Sequence, residues 1–261
     1  MTTRLPDPTD DLERAEHDLR EHAICAVTGV LDGDTLAAIR REFYQAATDD
    51  RNRRTGQPGF GLDLDDTNQR VWNLPSRSPV FVDLVEHPAA IQLLRSVLGW
   101  PMLLGNLSGN ITGPGGAAGV LHADQLFIPQ PWPASPQGAN AAWCIDDFTT
   151  DNGGTRFVPG SHLLNRPPHP DDSAEAVPFE APAGSLVVFD ARLWHQTGAN
   201  TTTDQYRAAA FGWYTRPIYR TQENWFLSLN PSVRQFASDE LLELLGYKTH
   251  GLGLVNGISP D

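Results

Sequence analysis

Two histidines and one aspartate carry the strongest chemical signal in the sequence. His122 and Asp124 stand two positions apart in VLHADQLF, and His195 follows much later in FDARLWHQTG. In an extended strand, residues two apart point to the same face, so His122 and Asp124 can offer an imidazole and a carboxylate to one metal. His195, from another strand, would add a third ligand. Two nitrogens and one carboxylate on one octahedral face are typical of Fe(II) in oxygenases.

The His-x-Asp pattern is weak by itself, because the chain contains a second copy. His169 and Asp171 flank a proline in RPPHPDD. Proline cannot donate to a strand ladder, so this copy is predicted to lie in a surface loop. Taken alone, His122 is as consistent with a structural histidine as with a ligand, and other residues must support the metal site.

An arginine downstream of His195 gives that support. Arg207 precedes the apolar run AAAFGW, which predicts a position on or at the start of a buried strand. A buried guanidinium needs a partner, and its planar fork matches the distal carboxylate of 2-oxoglutarate. Thr197, two positions after His195, could share that carboxylate through its hydroxyl. The alternative is a structural salt bridge from Arg207 to an internal acidic residue.

Helices dominate the prediction for the first hundred residues. Apolar side chains recur there at helical spacing, Pro88 suits a first helical position, and Ser238 suits the N-cap of a last short helix. The helices are predicted at residues 11–21, 34–43, 87–98 and 238–245.

Short strands dominate the rest of the chain. The β-branched run 24–30 predicts an early strand, and the polar, glycine-rich residues 48–70 predict a surface loop. From Met102 onward, short apolar runs alternate with Gly, Pro and Asn, which is typical of a β sandwich or barrel.

Charge and cysteine content narrow the classes of partner. The formal net charge is −13, from 32 acidic and 19 basic residues. A protein that binds nucleic acid or an anionic membrane surface would need the opposite bias. Two cysteines, Cys25 and Cys144, cannot form a disulfide framework and fit a reducing compartment. With no apolar run long enough for a bilayer and an N-terminal segment unlike a signal peptide, a cytoplasmic location is predicted.

Three motifs, taken in order, resemble one enzyme family. They are LHADQ, then WCIDDFTTDNGGTRFVPGSH from Trp143 to His162, then FDARLWHQTGAN with a following arginine. This order resembles the phytanoyl-CoA dioxygenase superfamily of Fe(II)- and 2-oxoglutarate-dependent oxygenases. The strand AICAVTGVL and the helix DTLAAIRREF add to the resemblance, which spans most of residues 11–216.

The resemblance implies a double-stranded β-helix, the jelly-roll barrel, with a metal in its mouth. His122, Asp124 and His195 fall on the family's iron positions, which makes them the expected metal-binding and catalytic residues. Arg207 and Thr197 fall on the site of the 2-oxoglutarate carboxylate. The implied cofactors are Fe(II), the cosubstrate 2-oxoglutarate, and O₂.

Three further residues are implied to lie near the cosubstrate. Trp143 and Thr155 match positions that line it in some members, although both are equally consistent with packing in the core. Asn110, on a strand entering the site, is expected to touch cosubstrate or substrate.

The predicted organisation is one domain over residues 1–261, mainly β with helices at its periphery (α+β). Residues 1–10 are expected to be flexible, 11–100 to give helical support, 101–220 to form the jelly-roll core and 221–261 to form a C-terminal segment.

The implied activity is oxidation of an unactivated C–H bond in a small molecule, with hydroxylation favoured and succinate and CO₂ released. Halogenases of this superfamily carry a small residue in place of the carboxylate ligand, so Asp124 argues against halogenation. No basic patch favours a CoA nucleotide, and a specialised metabolite is the expected substrate. Two alternatives stay open: a non-catalytic jelly roll that binds a ligand or metal, and a zinc hydrolase using His122 and His195, which would leave Arg207 without a role.

The substrate is expected to meet segments around the barrel mouth, namely residues 48–78, 125–140 and 216–226. Three aromatic residues are candidates to contact an apolar substrate, each equally consistent with packing: Trp132, Tyr214 and Trp225.

Overall fold

Two antiparallel sheets form the centre of the structure, a computed structural model that describes residues 4–53, 67–248, 251–258 and 260. The larger sheet has the strand order β1-β7-β4-β9-β3-β2, and the smaller has the order β6-β5-β8. The strands are β1 Ile24–Val27, β2 Asn68–Val71, β3 Leu103–Thr112, β4 Gly138–Cys144, β5 Thr155–Phe157, β6 Val177–Pro178, β7 Leu186–Asp190, β8 His195–Thr197 and β9 Arg207–Thr215.

Helices flank the larger sheet. They are α1 Leu12–His22, α2 Gly33–Arg53, α3 Pro79–Val85, α4 Pro88–Leu98, α5 Trp225–Ser228, α6 Pro231–Gln235 and α7 Asp239–Leu244. The Asp11 carboxylate caps α1 by accepting from the backbone N–H groups of Glu13 and Arg14, and Ser238 caps α7 through Leu241. Within the described segments, no helix is long and apolar enough to cross a membrane.

The larger sheet separates two hydrophobic layers. Along β4, Ala139, Ala141 and Trp143 pack into the layer shared with the helices, whereas Ala142 and Cys144 face the smaller sheet. Successive strand residues point to opposite faces, and both faces are buried here, so β4 is apolar along almost its whole length. The predicted fold class, a β-rich core with peripheral helices, is confirmed.

Two predicted boundaries differ in the structure. The second helix, predicted to end at Phe43, continues to Arg53, so the first part of the predicted loop 48–70 is helical. The last part of that predicted loop belongs to β2, and residues 54–66 lie outside the described residues. The early strand ends at Val27, before a bend at Gly29, whose φ of 66° is readily adopted only by glycine.

The second His-x-Asp copy lies on the surface, as predicted, but in a short 3₁₀ helix, Pro170–Glu175. The side chains of His169 and Asp171 are 69% and 92% exposed to solvent, so neither lies in a cavity that could enclose a metal.

Gly109 of β3 packs directly against Phe43 of α2. A Cβ at this position would lie 2.4 Å from Cε2 of Phe43, which is fully buried in the helix-side layer. We expect Gly109→Ala to lower the free energy of unfolding by about 1–3 kcal/mol, because a packed core resists an added methyl group. Urea unfolding of both proteins measures the change. Gly33→Ala, where a Cβ meets nothing within 4 Å, is the matched control, and an equal loss in both variants would contradict this explanation.

Candidate active site

The structure brings His122, Asp124 and His195 together. Nε2 of His122 lies 3.5 Å from Oδ1 of Asp124, and Nε2 of His195 lies 3.5 Å from Oδ2 of the same carboxylate. One ligand atom from each residue falls within 4.8 Å of the other two. Two imidazoles and one carboxylate at this spacing can hold one metal ion on one side and leave its other side open.

Backbone pairing places the two histidines next to each other. The N–H of His122 donates to the carbonyl of His195 at 3.0 Å, and the N–H of His195 donates back at 2.8 Å. His195 opens β8, whereas His122 forms an isolated bridge and Asp124 begins a turn. The sequence predicted a regular strand for His122 and Asp124; a single extended bridge is sufficient to direct both side chains to the same point as His195.

Local hydrogen bonds fix the ring nitrogen that each histidine offers. Nδ1 of His122 lies 2.8 Å from the carbonyl of Val120, and Nδ1 of His195 lies 2.9 Å from the carbonyl of Leu193. A protonated Nδ1 donates to each carbonyl, which leaves Nε2 of both rings as the ligand atom. Burial lowers the pKa of His195 to about 4, so its imidazole is neutral, as a metal ligand must be.

Asn140 orients the carboxylate ligand and was not predicted from the sequence. Its Nδ2 donates to Oδ2 of Asp124 at 2.8 Å from the inward face of β4. Such partners of a metal ligand restrict its rotation and tune its basicity.

We expect Asn140→Ala to weaken metal binding by about 10–100-fold, the usual effect of losing a residue that orients a ligand. Competition between the protein and a fluorescent chelator for Co(II) or Fe(II) measures the affinity. Ser108→Ala, also on the cavity wall but without a bond to the triad, is the control. Unchanged affinity in the Asn140 variant would show that Asp124 is held by other contacts.

Arg207 is fully buried at the start of β9, as predicted. Its Nε donates to the carbonyl of Gly153 at 2.9 Å and its Nη2 to Oγ1 of Thr112 at 2.7 Å. Nη1 has no hydrogen-bond partner, and no carboxylate of the described residues forms an ion pair with the guanidinium. Burial lowers the pKa of Arg207 to about 10, so the group stays charged at neutral pH. The alternative of an internal salt bridge therefore has no support among the described residues.

Unpartnered donors near Arg207 fit an anionic cosubstrate. Thr112 links Arg207 to Asn110, whose Oδ1 lies 3.4 Å from the Thr112 hydroxyl. Nδ2 of Asn110 is buried without a partner, like Nη1 of Arg207. Buried donors without acceptors are costly, and a dicarboxylate such as 2-oxoglutarate would supply oxygen acceptors for them. The residues present therefore fit both a divalent metal and this cosubstrate.

Three of the other predicted site residues line the cavity that also contains His122, Asp124 and His195. Thr197 and Thr155 are paired across β8 and β5, and both face the cavity together with Asn110. Trp143 does not face it: the side chain lies on the opposite face of β4, in edge contact with His87 at 5.2 Å between ring centroids. The prediction that Trp143 lines the cosubstrate is therefore wrong, and packing is its observed role.

The cavity beside the triad has a volume of about 550 Å³. Several residues that line this cavity were not predicted individually, although the alternation of side chains along a strand indicates them. Once Arg207 faces inward, Phe211 and Trp213 on β9 must do so too, and Asn110 likewise implies Ser108 on β3. The lining residues that fall in the segments predicted to surround the barrel mouth are Arg70, Trp72, Leu126, Phe127, Asn140, Tyr219, Arg220 and Gln222. The lining residues that were not predicted are Asn106, Ser108, Ala123, Phe189, Phe211 and Trp213.

The three aromatic residues proposed for substrate contact pack elsewhere. Tyr214 and Trp225 are buried in the helix-side layer, where they donate to the carbonyls of Val85 and Leu104. Trp132 is buried in a third cluster and donates to the carbonyl of Ile128. All three are structural, because their rings are packed in the hydrophobic clusters and their polar hydrogens donate to backbone carbonyls.

Comparison with known proteins agrees with this geometry. The family model described as phytanoyl-CoA dioxygenase (PhyH) matches residues 19–209. The chain belongs to this family. A curated relative, dioxygenase af480 of Aspergillus fumigatus, is 36% identical over 244 residues, which cover 92% of this chain and 78% of that protein. Membership confirms the predicted enzyme class, a 2-oxoglutarate-dependent dioxygenase, and its cofactors Fe(II) and 2-oxoglutarate.

Solved structures in the comparison confirm the fold. The epimerase SnoN, in complex with Fe³⁺, alpha ketoglutarate and nogalamycin RO, has a TM-score of 0.63 at 24% identity, covering 88% of this chain and 93% of SnoN. HygX from Streptomyces hygroscopicus, with nickel, 2-oxoglutarate and hygromycin B bound, has a TM-score of 0.64 at 18% identity, covering 80% of this chain and 88% of HygX. At these identities the likeness concerns the jelly-roll architecture.

Proposed function

We propose that this family member oxidises an unactivated C–H bond of a small specialised metabolite, with hydroxylation as the favoured outcome. The observation that carries the proposal is the His122–Asp124–His195 cluster, with three ligand atoms within 4.8 Å at the wall of a cavity large enough for a small molecule. The relatives in the comparison act on or bind small molecules by their names: SnoN is crystallised with nogalamycin RO and HygX with hygromycin B.

Each group of residues has a separate task in this proposal. His122, Asp124 and His195 hold Fe(II), which together with 2-oxoglutarate and O₂ supplies the oxidising chemistry. Arg207 holds the distal carboxylate of the cosubstrate by a charged hydrogen bond, and Thr197 shares that carboxylate.

The remaining residues shape the space between metal and substrate. Thr155 and Asn110 line the cavity beside Thr197 and give hydrogen bonds to the cosubstrate. Phe189 contacts the ring of His195 at 4.8 Å between centroids and covers it from water. Asp124 occupies the position that halide would need, so hydroxylation is favoured over halogenation.

The test is anaerobic. Fe(II) and then 2-oxoglutarate are added to the metal-free protein, and the weak visible charge-transfer band of the chelate is recorded. We expect the band with Fe(II) and none with Zn(II), because Zn(II) is redox-inactive and holds its d electrons too tightly for visible light to transfer one to the ligand. Succinate release in air then identifies substrates. Iron binding without the band would overturn the proposal and favour a non-catalytic binding protein, and hydrolysis supported by Zn(II) would favour a hydrolase.

A further inference from the structure

The indole of Trp213 lies over two glycines of the larger sheet, at the side of the cavity next to the metal ligands. A Cβ on Gly105 of β3 would come within 2.1 Å of Cε3 of Trp213, and a Cβ on Gly138 of β4 would come within 3.1 Å of its Nε1. The strands on both sides of β9 therefore carry glycine where the ring rests. In register, Trp213 sits between Asn106 and Asn140, the residue that holds Asp124.

Two more aromatic rings meet Trp213 at an angle. Phe127 makes edge contacts with Trp213 and Tyr219, at 5.0 and 5.3 Å between ring centroids and interplanar angles of 84° and 78°. Tyr219 is held by a hydrogen bond from its hydroxyl to Oε1 of Gln137 at 3.0 Å. Phe127 belongs to the turn that begins at Asp124, so this aromatic corner, made of Trp213, Phe127 and Tyr219, adjoins the metal site.

The polar groups beside the aromatic corner are mainly neutral. The Asn106 amide donates to Oε1 of Gln222, and both side chains line the cavity with Ser108. Apart from the triad and the phenol of Tyr219, the ionisable lining residues that the structure describes are Arg70 and Arg220. Arg70 lies opposite Asn110 in the register of β2 and β3, at the end of the cavity that holds Asn110, and Arg220 is solvent-exposed.

We propose that the aromatic corner seats a neutral, ring-containing, largely apolar substrate whose hydroxyl or carbonyl oxygen meets the amides of Asn106 and Gln222. This inference rests on the proposed function, because the corner matters for catalysis only beside a loaded metal. Rigid rings pack against aromatic faces and lose less conformational entropy on binding than flexible chains do. An ionic substrate would have to give up its hydration beside neutral amides and apolar rings.

Four matched probes test the substrate class: 1-adamantanol, 1-adamantanecarboxylate, 1-adamantanamine and 1-decanol. Equilibrium dialysis against the protein, both metal-free and loaded anaerobically with Fe(II) and 2-oxoglutarate, measures their binding. We expect 1-adamantanol to bind at least about 10-fold more tightly than the two charged cages and the linear alcohol, a difference of about 1.4 kcal/mol.

Variants locate the bound probe. Trp213→Ala is expected to weaken 1-adamantanol binding at least about 10-fold, the loss that removal of a buried aromatic anchor causes. If the Trp213 variant fails to fold, Phe127→Ala provides the same test. The Phe127 ring is 44% exposed, so the fold should tolerate its loss, and a similar weakening of 1-adamantanol binding is expected. Phe236→Ala removes a ring that is 81% exposed and outside the cavity lining, and it should change nothing.

The outcomes separate this inference from the proposed function. Tightest binding of the carboxylate would assign the specificity to the arginines of the lining, Arg70 and Arg220, and tightest binding of decanol would indicate a chain-shaped substrate; either overturns the inference. Absence of binding by all four probes while the charge-transfer band forms also overturns it and leaves the oxygenase proposal intact. If 1-adamantanol binds in a way that depends on Trp213 but the protein never forms the charge-transfer band, the aromatic corner is supported as the binding site and the oxygenase proposal is overturned.

Discussion

Replacing Arg207 by methionine is expected to weaken 2-oxoglutarate binding by about 30-fold or more while metal binding is kept. The guanidinium is buried, charged and left with an unpartnered Nη1, so its electrostatic interaction with a carboxylate is little screened by water. Truncating one partner of a buried charged pair costs about 2–5 kcal/mol, and 2 kcal/mol corresponds to about 30-fold in affinity. Titration of the Fe(II)-loaded protein with 2-oxoglutarate, followed by the charge-transfer band, measures the change.

Two further variants separate recognition from folding. Arg207→Lys keeps the charge but loses the planar fork, and an intermediate affinity is expected. Arg156→Met is the control, because Arg156 lies on β5 next to Thr155, points away from the cavity lining and donates only to the carbonyl of Ala176 among the described residues. A 2-oxoglutarate titration of Arg207→Met identical to that of the unaltered protein would show that the arginine is structural and that other residues hold the cosubstrate.

Local sequence signals predicted the fold where one element decides its own boundaries. Pro88 at the first position of α4 and the Ser238 cap of α7 are examples, since a cap depends on residues within one turn. The end of α2 was not predictable in this way. Its continuation past Phe43 is stabilised by the contact of its C-terminal half with β2, where Nε2 of Gln69 donates to the carbonyl of Ala47.

The site shows the same division between local and long-range information. His122, Asp124 and His195 were found because their residue types and spacing match a metal site, and Arg207 because it precedes an apolar run. Trp143 was misassigned because both faces of β4 are buried, so the apolar pattern does not show which face meets the cavity.

Asn140 needed information that no local pattern contains. Its hydrogen bond to Asp124 depends on β4 lying beside the turn at 124–127, an arrangement that only the folded sheet defines. The aromatic residues of β9 that line the cavity could have been predicted from the sequence. If Arg207 faces the cavity, strand alternation places Trp213 on the cavity face and Tyr214 on the opposite face, in the helix-side layer.

Asp124→Ala is expected to abolish substrate-dependent succinate release and to weaken metal binding by at least about 100-fold. Loss of a residue that only orients a ligand costs up to about 100-fold, and Asp124 is itself a ligand, the one carboxylate of the triad. Its carboxylate is 27% exposed and accepts a hydrogen bond from Asn140, so the fold should tolerate the change. Metal competition and a thermal unfolding curve on the same sample distinguish a lost ligand from a lost fold.

The second His-x-Asp copy supplies a control of identical chemistry. Asp171 also stands two residues after a histidine, and its carboxylate lies 3.2 Å from Nδ1 of His169, but both side chains are exposed and no third ligand from the described part of the chain joins them. Asp171→Ala should therefore leave metal affinity and turnover unchanged. The comparison tests whether the spacing of the motif is sufficient for the site, because both copies place an aspartate two residues after a histidine but differ in the middle residue and in what the fold brings next to them. Metal binding that survives Asp124→Ala but falls in Asp171→Ala would place the metal at the surface copy and overturn the assignment of His122, Asp124 and His195.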